Sequence, residues 1–405
     1  MKNTKINSTL LKNINRKKVL SIIEKGENIS RVEIKDLLKK DGKTVTNITN
    51  GLIQDNFLIS SGYSPHTGGR RRELLKLNPD YGYIIGIHLG VNYVRGILID
   101  FSNQVLLREK IPVSPTESKS SLILKIQKAI EFLLRSKSIP QNKLLGIGFV
   151  ANGFYDRATG EWINAVNNLN WKNVPIKNIL SEQFDVPIFL EDCSRAMALG
   201  EKYFGQAQDH NNYIYLDLGL GIGCGIIIND FLFRGSSNIA GEFGHTIVVP
   251  NGELCSCGNH GCLETVSSGW ALIKNIKEKI EGGVKTQITD LCDGNLNKLD
   301  TDMVFQAFLN GDNLATEELI LATDYLSISI VNLINLFNPE SIVFGGHFAT
   351  WGENYLSQLK IKIAKNVSPI STSKIKYIIS SLGDEAAVLG ATSLVRSQYF
   401  QINRI

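Results

Sequence analysis

The sequence predicts an α/β protein with a small helical head and a larger body of two related lobes. Three observations predict this fold class. The first 76 residues show helical spacing of apolar residues and carry 16 Lys/Arg against 7 Asp/Glu, a net charge of +9. From Tyr83 onward, β-rich segments alternate with helices, as is typical of α/β domains. Within this body, a pair of strands joined by a glycine-containing turn recurs 129 residues later.

Composition limits the possible classes of protein. The 405 residues are 43% hydrophobic and 20% charged, as in ordinary globular domains. No uncharged apolar run reaches the ~18 residues of a membrane-spanning helix, and the first residues show no secretory leader pattern. Six cysteines are too few for a disulfide framework. We therefore expect a cytoplasmic protein with reduced thiols and no membrane contact.

The head shows the pattern of three helices. Apolar spacing predicts the first over residues 11–25. Ser30 and Glu33 form a Ser-x-x-Glu capping box that begins the second, and Asp41-Gly42 predicts a turn. The third helix, over 43–54, combines an apolar face with polar residues that can contact phosphates and base edges. The candidates for DNA binding on this helix are Lys43, Thr44, Thr46 and Asn47.

A short ribbon follows the third helix. Strands are predicted over 56–60 and 70–77, with a loop over 62–69, which completes a winged helix-turn-helix pattern. The loop ends in Gly68-Gly69, and the arginines after it can reach phosphates or a narrow minor groove. These wing arginines are Arg70, Arg71 and Arg72. A lysine-rich solvated surface and a small protein-binding domain remain alternatives, but arginines beside two glycines favour DNA.

The repeat in the body consists of two hairpins. Strands are predicted over 84–89 and 96–100, and again over 213–218 and 225–229. A shift of 129 residues aligns Leu89 with Leu218, Gly90 with Gly219 and Gly96 with Gly225. This ungapped match predicts two related lobes that each open with a hairpin.

Glycines alternate along the second hairpin, at Gly219, Gly221, Gly223 and Gly225. They would allow backbone N–H groups to approach a phosphate closely, or they would simply allow tight packing of the hairpin. Because the hairpin is duplicated, the body resembles the actin-like sugar kinase fold (a duplicated ribonuclease H-like fold), in which a nucleotide sits between the lobes.

A dense group of metal-ligating residues follows this hairpin. Three cysteines lie within eight residues, separated by glycines that allow a tight knuckle, and His245 precedes them by ten residues. His245, Cys255, Cys257 and Cys262 complete the Cys3His set of a structural zinc site. His260 is a competing ligand. Because four protein ligands leave no position for an activated water, we expect one structural zinc per chain.

On these motifs the sequence resembles the ROK family of repressors, open reading frames and sugar kinases, and in overall plan its xylose-repressor-like branch. Motifs of the helix-turn-helix branch are Asn15-Arg16…Val19-Leu20, Ser30-Arg31, Thr44-Val45, Gly68-Gly69-Arg70 and Leu77-Asn78-Pro79. Motifs of the body are Gly241-Glu242-x-Gly244-His245, Cys255-x-Cys257-Gly258-x-x-Gly261-Cys262-x-Glu264, Asn338-Pro339-Glu340…Gly345-Gly346 and Leu382-Gly383-Asp384-Glu385-Ala386.

Three positions depart from the pattern that the resemblance implies for ROK kinases. His88 stands where the kinases carry an aspartate that serves magnesium and phosphate, and Leu220 replaces a threonine in the second hairpin. Cys193 stands at the general base, unless a one-residue slip makes Asp192 the base. Phosphoryl transfer depends on such groups to position and neutralise phosphate. We therefore expect a degenerate kinase scaffold without enzymatic activity.

The resemblance also implies a sugar pocket, because carbohydrate recognition requires only convergent donors and acceptors. By family position, the residues that would face the sugar are Glu242, His245, Glu264, Asp192 and, with a weaker match, Asn168. His245 would then join pocket and metal, with one ring nitrogen on each.

These predictions give a domain plan. Residues 1–79 would form the winged helix-turn-helix domain, residues 80–200 the first lobe with a returning helix over 384–405, and residues 201–383 the second lobe with the zinc site.

The function predicted for this plan is that of a sugar-responsive transcriptional repressor of carbohydrate-utilisation genes. The head would bind operator DNA, and a small sugar or sugar-phosphate effector would bind between the lobes. Paired heads imply a homodimer or a dimer of dimers. The alternatives are an active ATP-dependent sugar kinase with a regulatory head and a scaffold that docks another protein.

Overall fold

The structure is a computed structural model that describes residues 8–26, 28–65, 71–165, 168–367 and 374–400. The chain divides into two compact units. One unit comprises Met1–Cys193 and Val388–Ile405, and the other comprises Ser194–Ala387. These limits lie a few residues from the lobe boundaries that we predicted at residues 200 and 383.

The head contains three helices and a three-stranded antiparallel sheet in which β3 lies between β1 and β2. Its elements are α1 (Ser8–Gly26), β1 (Ile29–Ser30), α2 (Arg31–Leu38), α3 (Gly42–Gln54), β2 (Leu58–Tyr63) and β3 (Glu73–Leu77). The sequence did not predict β1, because a strand of two residues has no periodicity to detect. Residues 66–70, and with them Gly68, Gly69 and Arg70, lie outside the described residues.

Side-chain caps begin the second and third helices. The capping box is confirmed: the Glu33 N–H donates to Ser30 Oγ at 3.4 Å, and the Ser30 N–H donates to Glu33 Oε2 at 2.9 Å. The prediction of a turn at Asp41-Gly42 was wrong, because Asp41 is the N-cap of α3 and Gly42 is its first residue. Asp41 Oδ1 accepts the Thr44 N–H at 2.8 Å, which satisfies a donor of the first turn. Hydrogen bonds from the Thr44 side chain and backbone lower the pKa of Asp41.

The first unit continues with a five-stranded sheet, its covering helices and a small antiparallel sheet formed by β8, β9 and β10. The elements are β4 (Tyr83–Leu89), β5 (Tyr93–Asp100), β6 (Val105–Pro112), α4 (Lys119–Ser136), β7 (Leu144–Ala151), β8 (Phe154–Asp156), β9 (Glu161–Ala165), β10 (Asn168–Val174), α5 (Ile176–Phe184) and β11 (Ile188–Asp192). Strands β4 and β5 are almost continuously buried, as expected for strands that are covered on both faces.

The second unit repeats this plan with more helices. Its elements, with the two helices at its boundaries, are α6 (Cys193–Tyr203), β12 (Tyr213–Leu218), β13 (Ile222–Ile228), β14 (Phe231–Leu232), α7 (Glu264–Ser267), α8 (Gly269–Glu281), α9 (Ile288–Leu291), α10 (Thr301–Leu309), α11 (Asn313–Phe337), β15 (Ser341–Gly345), α12 (Gly352–Asn366), β16 (Lys376–Ile379) and α13 (Ala386–Phe400).

The two large sheets share one topology. Their strand orders are β11-β7-β4-β5-β6 and β14-β13-β12-β15-β16. In each, three antiparallel strands follow one another, and two later strands join in parallel on the other side of the first. The predicted pair of related lobes, each opening with a hairpin, is confirmed.

Helix α13 packs on the first sheet at two glycines. A Cβ on Gly86 would lie 2.4 Å from the Val388 carbonyl oxygen, and one on Gly148 would lie 1.8 Å from that of Ala391. Only glycine at these positions allows the helix backbone to approach the strands so closely. The end of the chain thereby becomes part of the first unit.

The same helix ties the head to the first sheet. The Arg396 side chain is fully buried, and its Nη2 lies 2.7 Å from Glu24 Oε1 of α1. Its Nη1 donates to the Phe101 carbonyl at 2.8 Å, and its guanidinium lies 4.1 Å from the Phe400 ring centroid. Phe57 of the head stacks on Tyr81 beside this pair, with centroids 4.1 Å apart.

Judged only by its length and its hydropathy, helix α11 could cross a membrane. However, 56% of its most apolar window is buried inside the protein. Its residues Leu326 and Ile330 are fully buried in the core of the second unit, as in the central helix of a globular domain.

Candidate functional site

Four side chains of the second unit meet in one cluster. Their ligand atoms, one each from His245, Cys255, Cys257 and Cys262, lie within 4.8 Å of one another. The Cys255 Sγ lies 3.5 Å from His245 Nδ1, and the Sγ atoms of Cys257 and Cys262 are 3.6 Å apart. Tetrahedral zinc, with Zn–S bonds of about 2.3 Å and Zn–N bonds of about 2.0 Å, holds its ligands at similar separations. All four predicted ligands are therefore brought together.

The donor set of this cluster fits a bound metal. Burial, followed by hydrogen bonding with Cys257 and Cys255, raises the pKa of Cys262 to about 12. Thiols packed this closely require a cation before they can all ionise, and thiolate with imidazole is a soft set that suits zinc better than magnesium. The cluster could therefore hold one metal ion with four protein ligands.

Backbone geometry sets the shape of the cysteine loop. Gly261 has a φ of +74°, and a Cβ there would lie 1.7 Å from the Val249 carbonyl oxygen, so glycine is required. The competing ligand His260 is exposed, and its Nδ1 donates to the Gly252 carbonyl at 3.0 Å. His260 therefore does not join the cluster.

The second ring nitrogen of His245 faces a carboxylate. Its Nε2 lies 3.9 Å from Glu242 Oε2, and Glu242 Oε1 lies 3.7 Å from Arg195 Nη1. The Arg195 side chain is only 5% exposed and also donates to the Ala240 carbonyl at 3.2 Å. We did not predict Arg195, because its position within α6 did not show that it is buried beside Glu242.

Glu264 connects the metal loop to the second hairpin. Its Oε2 accepts the Ile222 N–H at 3.0 Å. A Cβ on Gly221 would lie 2.9 Å from the same oxygen. One carboxylate oxygen of this predicted sugar ligand therefore holds the hairpin turn in place.

Packing explains part of the glycine pattern of that hairpin. Strand β13 begins at Ile222, so Gly223 and Gly225 lie within the strand and not in the turn. A Cβ on Gly223 would lie 1.9 Å from Ser194 Oγ, and one on Gly225 would lie 2.5 Å from Ala198 Cβ. Tight packing against α6 accounts for these two glycines, which leaves only the turn around Leu220, itself 40% exposed, as a place for phosphate.

The remaining predicted sugar residues belong to the first unit. Asp192 ends strand β11, and its N–H donates to Glu191 Oε1 at 3.1 Å. Asn168 begins β10, but its side chain lies outside the described residues, as does Asn167.

The predicted DNA contacts lie on two parts of the head. Lys43, Thr46 and Asn47 are exposed on α3. Thr44 Oγ1 donates to Asp41 Oδ2 at 2.7 Å, so this hydroxyl takes part in the helix cap. Among the wing arginines that the structure describes, Arg71 and Arg72 are exposed. Arg70 lies outside the described residues.

Comparison with known proteins identifies the family. The profile of the ROK family matches residues 84–398. The chain belongs to the ROK family. It is 35% identical over 391 residues to a xylose repressor of Caldicellulosiruptor bescii, covering 96% of this chain and 97% of the relative.

Solved structures of ROK proteins differ in how much of this chain they match. A ROK family transcriptional regulator, described as a homologue of the E. coli Mlc protein, has a TM-score of 0.80, 25% identity and coverage of 96% of this chain and 97% of its own. A ROK family glucokinase from Streptomyces griseus, in complex with glucose and AMPPNP, has a TM-score of 0.67 and 27% identity. The glucokinase is matched over its full length but covers 78% of this chain. This ROK chain thus extends beyond the kinase, in the manner of the regulators.

Two of the positions that depart from the ROK kinase pattern are in contact. The Cys193 Sγ lies 3.1 Å from His88 Nε2, and both side chains are buried. The His88 ring also meets the edge of Tyr93, with centroids 5.4 Å apart. A thiol and an imidazole are therefore in contact in the interior of the first unit of this ROK protein.

Proposed function

We propose that this chain is a sugar-responsive transcriptional repressor of carbohydrate-utilisation genes. The observation that carries the proposal is the head. A xylose repressor and a regulator of solved structure each match 96% of the chain, whereas the glucokinase covers 78% of it. A regulator needs the additional DNA-binding domain and a kinase does not.

The head is proposed to be a winged helix-turn-helix domain over residues 1–79. Helices α2 and α3 form the helix-turn-helix, and strands β2 and β3 with their connection form the wing. In this arrangement α3 enters the major groove, where Lys43, Thr46 and Asn47 reach base edges and phosphates. The arginines at the wing, Arg70, Arg71 and Arg72, bind phosphates or the minor groove.

The body is proposed to bind the effector. Glu242 and His245 contribute adjacent polar groups at the metal cluster, and Glu264 contributes its remaining carboxylate oxygen. Asp192 and Asn168 contribute from the first lobe, which comprises residues 80–200 and the helix over 384–405. Residues 201–383 form the second lobe. Bidentate carboxylates are typical of sugar recognition.

Zinc, one ion per chain, is the metal proposed for the His245 cluster. Bound there it supplies structure only, since four protein ligands leave no open position. His245 Nδ1 faces the thiols and Nε2 faces Glu242, so the ring orients this carboxylate relative to the metal. Loss of metal would therefore disturb the sugar residues as well as the loop.

The body is proposed to lack kinase activity and to work in the cytoplasm as a dimer or a dimer of dimers. His88, Cys193 and Leu220 offer no magnesium carboxylate, no carboxylate base and no hydroxyl for a phosphate. Dimerisation pairs two heads on the two half-sites of an operator. An active kinase with a regulatory head is the alternative.

The test is an operator titration with and without sugar. The probe is a duplex from the DNA upstream of the chain's own gene, and the competitors are xylose, glucose, N-acetylglucosamine and their phosphates. We expect nanomolar binding at physiological salt that one of these ligands changes at least fivefold. Binding that no ligand changes would contradict the sensor function, and the absence of DNA binding would favour a protein-docking head.

A further inference from the structure

A groove of about 590 Å³ runs between α1 and α3 of the head. One wall is α3, where Thr44 and Asn47 are among the predicted base-reading residues. The other wall is α1, where Lys12 and Arg16 face them.

The lining of the groove is chemically suited to a polyanion. Among its ten described lining residues, seven are polar, two are aliphatic and none is a carboxylate. Sites for small organic ligands are mostly apolar, whereas nucleic-acid interfaces are polar and rich in cations. A strand of the DNA backbone is therefore the occupant that the lining favours.

Two contacts hold Arg16 beside this groove. Its Nη2 lies 2.5 Å from Asp55 Oδ2 at the end of α3, and its guanidinium carbon lies 5.8 Å from the Phe57 ring centroid. Its Nη1 lies 3.5 Å from the place that a Cβ on Gly51 would take. The ion pair fixes the guanidinium against α3, and the absent side chain at Gly51 leaves the floor of the groove open. Lys12 is exposed at the other end of the same wall.

We propose that α1 forms part of the DNA-binding surface, with Lys12 and Arg16 binding phosphates of the strand whose bases Asn47 reads. This inference rests on the proposed function and adds a second cationic edge, on the side of α3 that α1 covers. Phosphate contacts of this kind fix the register of a recognition helix without reading sequence.

The decisive variant is Lys12→Gln, because Lys12 is exposed and its loss leaves the fold intact. Lys18→Gln is the matched control: it removes the same charge from an exposed residue of α1 that is not among the lining residues of the groove and lies about 120° around the helix from Lys12. Both full-length variants are titrated at several salt concentrations against the upstream duplex and against a random-sequence duplex.

We expect Lys12→Gln to weaken binding to both duplexes and to flatten the slope of log K against log salt by about 0.9, the value for one phosphate. Lys18→Gln should leave the slope unchanged. If Arg71→Ala weakens binding while Lys12→Gln behaves like Lys18→Gln, α1 does not touch DNA and only this inference fails. If the wild type binds neither duplex, the proposed function fails as well.

Gly51→Ala provides a second readout that a loss of folding cannot imitate. The new methyl group meets Arg16 only at an ordinary contact distance, and alanine favours a helix interior over glycine. We expect an equal or higher melting temperature together with weaker DNA binding. Unchanged DNA binding by Gly51→Ala would show that the DNA backbone does not enter the groove, and would overturn the proposal.

Discussion

The thiol of Cys193 lies 3.1 Å from Nε2 of His88, and both side chains are almost completely buried. The two residues come from strand β4 and the start of α6, which are 105 positions apart in the chain. Each gives the other a polar neighbour inside the first unit. Neither side chain can hold magnesium in the manner of a carboxylate, because soft donors do not suit that hard cation.

The first prediction is that the wild-type chain does not phosphorylate sugars. A general base alone contributes about 10²–10⁴-fold, and the magnesium carboxylate is missing as well. A coupled ATP assay with xylose, glucose and N-acetylglucosamine should show only background. An active ROK glucokinase in the same assay is the control, and a turnover near ~10 s⁻¹ for this chain would establish the kinase alternative.

The second prediction concerns the metal cluster. Cys257→Ser should lose the single zinc ion and lower the thermal stability of the second unit, because metal-binding free energy is partly folding free energy. Elemental analysis and thermal unfolding measure the two effects. Cys292→Ser is the control, since Cys292 is a buried thiol outside the cluster, and it should keep its zinc. Wild-type protein that is purified without chelators and contains no zinc would show the assignment to be wrong.

The third prediction separates base reading from phosphate binding in the head. Asn47→Ala should cost about 1–3 kcal/mol on the preferred operator and change which bases are tolerated, if the amide pairs with a base edge. Arg71→Ala should weaken binding to every sequence by a similar factor and reduce the salt slope by about one unit. Titrations against a set of operator variants at several salt concentrations measure both. Equal behaviour of the two variants would contradict the division of roles.

The fourth prediction concerns the buried ion pair that joins the head to the first sheet. Arg396→Met leaves Glu24, whose side chain is 14% exposed, without its cation, and should lower the free energy of unfolding by roughly 3–5 kcal/mol. The control is Arg135→Met, which removes an exposed partner of Glu131 and should cost at most about 0.5 kcal/mol. Denaturant unfolding measures both, and similar losses would mean that burial of Arg396 contributes little.

The fifth prediction is a pH dependence at the start of α4. Hydrogen bonds from Lys125 and Ser121 lower the pKa of Glu117 from 4.5 to about 2. A depressed carboxyl pKa stabilises the fold above the unfolded value of 4.5, and this stabilisation is lost as the pH falls toward about 2. Glu117→Gln should therefore be less stable than wild type at neutral pH. The difference should shrink once the pH falls below about 4.5, and a difference that does not depend on pH would contradict the assignment.

Local sequence determined the elements that carry their own signals. The capping box of Ser30 and Glu33 fixed the start of α2, because the two side chains satisfy backbone donors only three residues away. The hairpin repeat determined the paired strands β4–β5 and β12–β13, and the spacing of the cysteines determined the loop that brings Cys255, Cys257 and Cys262 together. These features depend on contacts between residues that are close in the chain, so their patterns are visible in it.

Tertiary structure alone decided which distant residues meet. Arg195 lies beside Glu242, Arg396 lies on Glu24, and the Cys193 thiol faces His88 across the first unit. Contacts between residues so far apart depend on how helices pack on sheets, and no local period records that packing. For the same reason, the sequence could not distinguish glycines that bind phosphate from glycines that admit a helix. At Gly223 and Gly225 the close packing of α6 is the reason for glycine, because the missing side chains leave room for Ser194 and Ala198.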